Sequence, residues 1–377
     1  YELGAIPMRE VLKRVNVSPD KVDEVFWGVG DTSACRDPYT PVAGRQSLIR
    51  AGLPHETVSI SFDMACVSAM HAIKLAAMEM KAGEIEVAIA GGATSFGQSP
   101  MVVRNLRFNG FRMGDVKMED PLYALGYKDF NPVSVDSDNV AYEYKIDRQE
   151  QDEWAFRSHQ NYGNAWNAGK FKDEIVPVMG VDDNGNPKLI EHDQWIRDNP
   201  SIEQMAGMKP AFKPDGIVTA ATSSPLTVGA CAVLLMSREK ADQLGLKYHL
   251  RYGGGAMAGC DPTMMGIAPV PAAKKLLARL GLKADDIDVW ELNEAFGTQA
   301  LAVLRELGIE DNAPFKKTNL WGGALAIGHP LGESGARVVI TLNSIMKKDK
   351  PEARRGVAML CGGFGNGNAS LWEKVRT

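Results

Sequence analysis

The sequence lacks the features that mark membrane, disordered and fibrous proteins. In 377 residues, no window approaches the roughly 18 uninterrupted apolar residues that a membrane-spanning helix needs, so no membrane span is predicted. Hydrophobic residues make up 45% and charged residues 24% of the chain, which is close to the average for globular proteins. At roughly 100–200 residues per domain, the length predicts two or three packed units.

The chain also lacks an excess of positive charge. Its 42 Lys and Arg residues are outnumbered by 47 Asp and Glu residues, which gives a net charge of −5. No long basic run interrupts this balance, so neither a nucleic-acid partner nor an anionic membrane surface is predicted.

Cysteine is sparse, and its spacing argues against two kinds of site. The five cysteines are Cys35, Cys66, Cys231, Cys260 and Cys361, an odd number without a C-x-x-C pair. This pattern argues against a disulfide framework or a zinc ribbon, and no metal site is predicted. It favours a reducing compartment with one or two working thiols. We expect a cytoplasmic protein, and a mitochondrial matrix location stays open because the chain starts at Tyr1 rather than Met.

The two ends of the chain repeat one pattern of strands and helices. Three features recur in the same order: a cap, short helix and strand (residues 18–28 and 283–293), a β-prone run before a helix (Val58–Phe62 before Cys66–Met80, and Lys317–Leu320 before about Gly332–Met346), and a strand ending in glycines (residues 87–92 and 357–363). This recurrence predicts two related α/β halves. Alternating strands and helices favour mostly parallel, buried sheets with helices on their faces.

The middle of the chain differs from both ends. From about Phe96 to Lys213 it is polar and irregular, with one predicted amphipathic helix from Asp147 to Ala168. A long insertion between regular halves usually caps an active site, although an arm for oligomer contacts would have the same pattern. The predicted units are an N-terminal half over 1–96 that is completed by about 214–250, an inserted loop or cap domain over 97–213, and a C-terminal half over 251–377.

Four residues beside glycines or helix starts are the candidates for chemistry. Cys66 follows a strand and opens a helix, where the helix dipole stabilises a thiolate, although a single cysteine is more often a buried structural residue. His329 lies in a glycine-dense loop (residues 319–337) that would present its imidazole to a pocket. Asn293 could donate to an oxyanion or simply cap a helix. Cys361 leaves the last strand before glycines that either face a ligand or form a tight turn.

These residues lie in four motifs that resemble those of the thiolase family, and the resemblance runs almost end to end. Asn-x-x-Cys-x-Ser-Gly is present as Asp63-Met-Ala-Cys-Val-Ser-Ala, and Asn-Glu-Ala-Phe is intact at Asn293–Phe296. Gly-His-Pro-x-Gly-x-Ser-Gly is intact at Gly328–Gly335, and Cys-x-Gly-Gly-Gly-x-Gly is present as Cys361-Gly-Gly-Phe-Gly-Asn-Gly. The resemblance implies an α/β fold of duplicated, five-layer α-β-α-β-α type with an inserted loop domain. It also implies an acetyl-CoA acyltransferase that acts in acyl-CoA metabolism such as β-oxidation.

The resemblance implies a role for each motif residue. Cys66 would be the nucleophile that takes the acyl group as a thioester, and His329 would accept its proton. Cys361 would be the second acid/base at the substrate α-carbon. Asn293 would fix a water that forms one oxyanion hole with His329, and the N–H groups of Cys66 and Gly363 would form the other. Two low-pKa thiols near one imidazole are expected on this basis.

Coenzyme A is implied as a substrate, and no cofactor is expected. Ser224 matches a family serine that contacts coenzyme A, Phe212 and Phe296 match aromatic positions near the pantetheine, and Met265 matches a residue that faces the acyl group. Core packing explains the two aromatic residues equally well. The family implies a homodimer or tetramer, and the substrate loops would also suit a small partner subunit.

Several departures from the family pattern cluster around the substrate. Phe364 replaces a glycine beside the second cysteine, Val228 stands where Asp is usual, and Asp63 replaces Asn. The stretches that we interpret as substrate loops, residues 92–97 and 133–139, also differ. A bulky Phe364 would narrow the acyl site, so we expect a branched, aromatic or dicarboxylic acyl group in place of plain acetoacetyl-CoA.

Three alternatives stay open beside this hypothesis. A ketosynthase-like condensing enzyme shares the fold but lacks a second thiol, so Cys361 argues against it. An acetoacetyl-CoA thiolase of the biosynthetic type has the same motifs. A non-catalytic acyl-CoA-binding subunit would have no need to retain Cys66, His329 and Cys361 together.

Overall fold

Two four-stranded sheets, a hairpin and eleven helices form the part of the chain that the structure describes. The computed structural model describes residues 1–30, 40–104, 106–107, 110–122, 130–182, 184–197, 199–310 and 315–375. Cys35 lies outside these residues. The strands are β1 (Glu24–Gly28), β2 (Val58–Phe62), β3 (Val87–Ser95), β4 (Val178–Val181), β5 (Pro187–Ile190), β6 (Val228–Met236), β7 (Leu250–Gly259), β8 (Val289–Leu292), β9 (Arg355–Gly362) and β10 (Asn366–Lys374). The helices are α1 (Glu2–Val15), α2 (Ala43–Ala51), α3 (Ser68–Ala82), α4 (Val133–Tyr144), α5 (Arg148–Asn167), α6 (Ile202–Ala206), α7 (Arg238–Gln243), α8 (Pro269–Leu280), α9 (Gly297–Leu307), α10 (Ala324–Ile327) and α11 (Ser334–Lys348). None of the helices in these ranges combines the length and the apolar character that crossing a bilayer requires.

The strand order confirms the duplication. The first sheet has the order β2-β1-β3-β6, in which β1 pairs in parallel with β2 and β3, and β6 runs antiparallel to β3. The second sheet has the order β7-β10-β9-β8, in which β8 and β9 are parallel and β10 is antiparallel to β9. The strands β1, β3 and β6 therefore correspond to β8, β9 and β10.

The predicted strand at Lys317–Leu320 is shorter than expected. It forms a single parallel bridge, between Thr318 and Trp290 of β8, at the position that β2 takes beside β1. The side chain of Asn319 continues the pairing, because its Oδ1 accepts the Leu292 N–H at 2.8 Å and its Nδ2 donates to the Leu292 carbonyl at 2.8 Å. The Asn319 side chain thus extends two backbone hydrogen bonds, Trp290 N–H to the Lys317 carbonyl at 2.8 Å and Asn319 N–H to the Trp290 carbonyl at 3.0 Å. The pattern of apolar residues does not reveal this exchange.

Alternating strand residues face different helix layers, as a pleated strand requires. In β1, Val25 and Trp27 pack against α1 and α2, whereas Phe26 between them packs against α3. In β9, Leu360 faces α3 and α11, and Met359 faces α8 and α9. Both sheets are therefore covered on two faces, and the predicted five-layer α-β-α-β-α arrangement is confirmed.

The central layer consists of α3 and α11 in close contact. Ala69, Ala72 and Ala76 of α3 are fully buried, and a Cβ at Gly335 of α11 would lie only 2.5 Å from the Met70 backbone nitrogen. Small residues let the two helices approach closely. As a result, both candidate loops start at the central layer. The loop with Cys66 precedes α3, and the loop with His329 precedes α11.

The inserted middle contains more regular structure than predicted. The helix expected at Asp147–Ala168 is confirmed as α5, and Asp147 forms a capping box with Glu150. The interpretation of residues 133–139 as a loop was wrong, because they begin α4. Its buried face includes Asp138, whose carboxylate accepts the N–H groups of Ile217 at 2.8 Å and Val218 at 3.1 Å. A helix with a polar buried face has no apolar periodicity from which it could be predicted.

Candidate active site

Cys66 lies in a tight turn between β2 and α3. The helix begins at Ser68 rather than at Cys66, and Ala65 takes a left-handed φ of 51°. The Ser68 hydroxyl closes the turn, because it accepts the Met64 N–H at 2.9 Å and donates to the Ala65 carbonyl at 2.7 Å. A left-handed alanine costs roughly 1 kcal/mol or more, so these hydrogen bonds hold Cys66 in a conformation that the chain alone would not favour.

The glycine-rich turn after β9 lies against Cys66. The Gly363 N–H donates to the Cys66 sulfur, and the Cys361 thiol is near enough for charges on the two sulfurs to repel each other. A Cβ at Gly362 would lie 3.2 Å from Val67 Cγ1, so the two turns are in direct contact. The two turns therefore bring together one cysteine sulfur from each half. The Gly363 N–H lies beside the Cys66 sulfur.

The expectation of two low-pKa thiols was wrong. Burial raises the pKa of Cys66 to about 12, although the N–H groups of Gly363 and of Cys66 itself lower it. Burial also raises the pKa of Cys361 well above its ordinary value, with a further contribution from Cys66. Both sulfurs are neutral thiols in the unliganded protein, so a base must remove the Cys66 proton as the sulfur attacks.

His329 supplies a neutral imidazole. It is 4% exposed in the loop between α10 and α11, and its Nδ1 lies 2.8 Å from Ser334 Oγ. Burial, together with the charge of Arg337, lowers the pKa of His329 to about 3. The unprotonated ring near neutral pH is the form that accepts a proton.

Asn293 lies beside the imidazole and beside the strand of Cys361. Its N–H donates to the Met359 carbonyl of β9 at 3.0 Å, and its Nδ2 is 3.4 Å from both ring nitrogens of His329. Arg337 Nη2 donates to Asn293 Oδ1 at 3.5 Å, which orients the amide with its donors toward the ring. The reading of Asn293 as a helix cap was wrong, because α9 starts later and Phe296 is its N-cap residue.

The segment around Ser224 joins the two catalytic loops. The Ser224 N–H and Oγ both donate to the Ala295 carbonyl, each at 3.0 Å. One residue later, the Pro225 carbonyl accepts the His329 N–H at 3.0 Å. Ser224 therefore lies between the Asn293 and His329 loops, and its contact with coenzyme A stays a prediction.

Met265 and Phe296 share one buried apolar cluster with Cys361. The other buried members are Val218, Ala268 and Ala295. These apolar side chains pack next to the second sulfur. Phe212 is not in the cluster and is 51% exposed, but its neighbour Ala211 donates a hydrogen bond to the Val218 carbonyl at 3.0 Å.

Phe364 lies at the rim of this site. It has a left-handed φ of 61° and is 43% exposed, and its ring packs edge to face on Phe130 with centroids 5.0 Å apart. Phe130 belongs to the inserted middle of the chain, so the predicted cap contacts the catalytic loop. Two aromatic rings thus stand beside the turn that holds Gly363.

Sequence reasoning missed Ser334 and Arg337 as parts of the site. Both follow His329 within eight residues, at the start of α11, and Ser334 belongs to the motif that contains His329. The signal that could have found them is their spacing from His329. Once α11 is assigned, residues in its first turn lie on the side of the helix that faces the preceding loop. The amide contact of Arg337 depends on the other strand and had no signal in the sequence.

The comparisons with known proteins agree with this geometry. The family description "Thiolase, N-terminal domain" matches residues 1–239, and "Thiolase, C-terminal domain" matches residues 246–374. The acetyl-CoA acetyltransferase of Chromobacterium violaceum is 41% identical over 377 residues, which are 99% of this chain and 93% of that protein.

Two solved structures are similar over almost the whole chain. The acetyl-CoA acetyltransferase of Bacillus anthracis superposes with a TM-score of 0.92 and human mitochondrial 3-ketoacyl-CoA thiolase with 0.90. Each is 34% identical in sequence, and each match covers 99% of this chain and 92% of the other. Both family domains match the chain, its two halves share one strand order, and one cysteine of each half lies at the same place. This chain therefore belongs to the thiolase family of acyltransferases.

Proposed function

We propose that the protein transfers an acyl group between a 3-oxoacyl-CoA and coenzyme A through a thioester on Cys66. The observation that carries this proposal is the contact between the Cys66 turn and the Cys361–Gly363 turn, which come from opposite halves. The neutral imidazole of His329 beside Asn293 adds the base that a neutral thiol requires.

In the first half-reaction, Cys66 Sγ attacks the 3-oxo carbon as its proton passes to His329. The N–H groups of Cys66 and Gly363 would stabilise the oxygen of the tetrahedral intermediate. The bond between C2 and C3 then breaks, and the electron pair moves onto the departing acetyl-CoA as an enolate. Cys361 donates its proton to C2, so acetyl-CoA leaves and the acyl group remains on Cys66.

The second half-reaction restores the enzyme. The Cys361 thiolate takes the proton of the coenzyme A thiol, and the resulting thiolate attacks the acyl-Cys66 carbonyl. Cys66 leaves as a thiolate and regains its proton from His329. Every proton that left the enzyme in the first half returns in the second, and the scheme requires ping-pong kinetics.

Intact-mass spectrometry tests the thioester. After incubation with an acyl-CoA, we expect a mass increase of one acyl group that maps to Cys66 and is absent in Cys66→Ala. Cys260→Ser is the matched control, since Cys260 is also a partly buried thiol and its removal should leave the label in place. A label on any other cysteine would contradict the proposal.

For the substrate, we propose an acyl group bulkier than acetoacetyl. The support is the aromatic pair of Phe364 and Phe130 at the rim, where a large apolar group would gain contact area. The names of the similar acetyl-CoA acetyltransferases favour the plain substrate instead. A panel of straight, branched, aromatic and dicarboxylic 3-oxoacyl-CoAs would be compared by kcat/KM in wild type and Phe364→Gly. A preference for acetoacetyl-CoA in wild type would contradict the proposal.

We also propose that the protein works as a homodimer that forms through the free side of β2. This strand lies at the edge of the first sheet, and it exposes Val58 at 56% and Ile60 at 42%. Exposed apolar residues on an edge strand are a template for pairing with another strand. Light scattering should give twice the chain mass for the wild type and the single mass for Ile60→Lys; a monomeric wild type would contradict the dimer.

A further inference from the structure

A chain of three polar side chains runs from His329 away from the reacting sulfurs. His329 Nδ1 lies 2.8 Å from Ser334 Oγ, and Ser334 Oγ lies 3.3 Å from Glu333 Oε1. All three residues are at most 4% exposed. A carboxylate thus stands behind the imidazole with one hydroxyl between them.

The hydrogens in this chain have one consistent arrangement. Ser334 Oγ carries a single hydrogen, and two acceptors compete for it: the Pro330 carbonyl at 2.9 Å and the Glu333 carboxylate. When the hydroxyl gives its hydrogen to either of these acceptors, its oxygen accepts from His329, and the ring carries its hydrogen on Nδ1. Nε2 is left unprotonated and is the nitrogen that can act as a base.

Glu333 is surrounded by groups from several elements. Cys231 of β6, Arg337 of α11 and Asp193 face its carboxyl, and a Cβ at Gly229 would lie 3.5 Å from its Cγ. Burial raises the pKa of Glu333 to about 7, while Cys231, Arg337 and Ser334 lower it and Asp193 raises it further. The carboxyl therefore gains its charge within the working pH range.

We propose that Glu333 is a positioning residue that acts on His329 through Ser334. It holds the imidazole in the Nδ1–H form, and its carboxylate stabilises the imidazolium that forms when Nε2 takes the Cys66 proton. No proton passes beyond Ser334, because Nδ1 keeps its hydrogen throughout. The inference rests on the proposed function for its kinetic consequence and on geometry alone for the tautomer.

The kinetic test is the pH dependence of Cys66 acylation, followed by mass spectrometry on the quench-flow timescale. In the wild type the rate should rise with pH through an apparent pKa near that of Glu333, about 7. Glu333→Gln should lose this rise and be slower by roughly tenfold or more above pH 8. A merely structural role would lower the rate equally at every pH and leave the rise in place, which would overturn the proposal.

Glu174→Gln is the matched control. Burial also raises the pKa of Glu174 to about 7, and Arg337 faces this carboxyl too. Glu174, however, accepts a hydrogen bond from Thr341 Oγ1 at 3.0 Å and bonds with Ser344, not with Ser334. We expect this variant to keep the pH dependence of the wild type. Loss of the rise in Glu174→Gln and its retention in Glu333→Gln would contradict the assignment.

Nitrogen-15 NMR of the histidines tests the tautomer without any turnover. The sequence has six histidines, and His329→Asn identifies the signal of interest. We expect a neutral ring protonated on Nδ1 in the wild type and a shift toward the Nε2–H form in Ser334→Ala. An Nε2–H ring in the wild type would refute the inference whatever the activity, whereas an Nδ1–H ring in a protein without thiolysis would refute only the proposed function.

Discussion

The two halves share one scaffold but use their strand ends differently. By strand register, Gly28 at the end of β1 corresponds to Asn293 after β8, and Ala93 of β3 corresponds to Cys361 of β9. The strand ends of the first half therefore have small residues where those of the second half carry an amide and a thiol. After a duplication, a strand-end residue in one half can serve packing while the equivalent residue in the other half carries a reactive group.

Each half also places its catalytic loop on the other half. Gly332, in the loop of His329, packs against the first sheet. The Gly332 N–H donates to Thr94 Oγ1 at 2.8 Å, and a Cβ at Gly92 would overlap the Gly332 carbonyl oxygen. The Cys66 turn seats against Gly362 of the second sheet with more room, since the nearest atom to a Cβ there is 3.2 Å away. The glycine-lined ends anchor a loop, and the polar ends carry the amide and the thiol of the proposed active site.

Removing the thiol from the second half should have the largest effect. We expect Cys361→Ala to slow thiolysis by about 10³-fold, because general acid–base groups typically contribute 10²- to 10⁴-fold. Acylation of Cys66 by a simple acyl-CoA needs no proton at C2, so the acyl mass shift should persist. A loss of less than about tenfold in kcat would show that the second sulfur is not the acid.

Removing the amide donors comes next. Asn293→Asp keeps the volume of the side chain but loses both N–H donors, and we expect kcat to fall by about 10²-fold, or roughly 3 kcal/mol of barrier. Asn161→Asp is the matched control, since Asn161 donates to the Asn319 carbonyl at 3.3 Å outside the proposed oxyanion sites. Equal losses in the two variants would contradict a special role for Asn293.

Alanine at one glycine of each strand end tests how tightly the two ends are packed. Gly92→Ala would force a Cβ onto the backbone of Gly332, so the free energy of unfolding should fall by about 3 kcal/mol or more. Gly362→Ala meets Val67 Cγ1 at 3.2 Å, a side-chain atom that can yield, so its cost should be under about 1 kcal/mol. Urea unfolding measures both, and equal costs would mean that the two strand ends are packed alike.

The smallest effect is on the reactivity of the thiols in the unliganded protein. Because burial raises the pKa of Cys66 to about 12, the alkylation rate with iodoacetamide should rise about tenfold per pH unit from pH 6 to 9, in proportion to the thiolate. His329→Asn should leave this slope unchanged, since the pKa of His329 is lowered to about 3. A plateau near pH 7 would instead indicate a thiolate–imidazolium pair.

Much of the scaffold could be predicted from local pattern. The run Val58–Phe62 is strand β2 as proposed, and the helix predicted from Asp147 ends within a residue of its observed bounds. Both depend on signals inside a short window, namely β-branched residues and a capping box. The helix α4 was missed because its buried face bonds through Asp138 to a segment about 80 positions away.

The candidate catalytic residues were also within reach of the sequence, because glycine-dense loops and strand–helix junctions carry residue types that chemistry needs. The protonation states of these residues could not be predicted from the sequence. The sequence suggested low-pKa thiols from a helix start, but the pKa of a thiol depends on how much water surrounds it, and at Cys66 burial outweighs the N–H donors of Gly363 and of Cys66 itself.

By itself, the sequence determined the duplicated α/β halves, the family resemblance and the candidates for the reacting groups, because these follow from local periodicity and from residue types at short spacing. Only the tertiary structure decided which groups meet and in what charge state. Contacts such as Gly363 with Cys66, Arg337 with Asn293 and Glu333 with Cys231 join distant segments. Their energies depend on burial and distance, which no stretch of sequence contains.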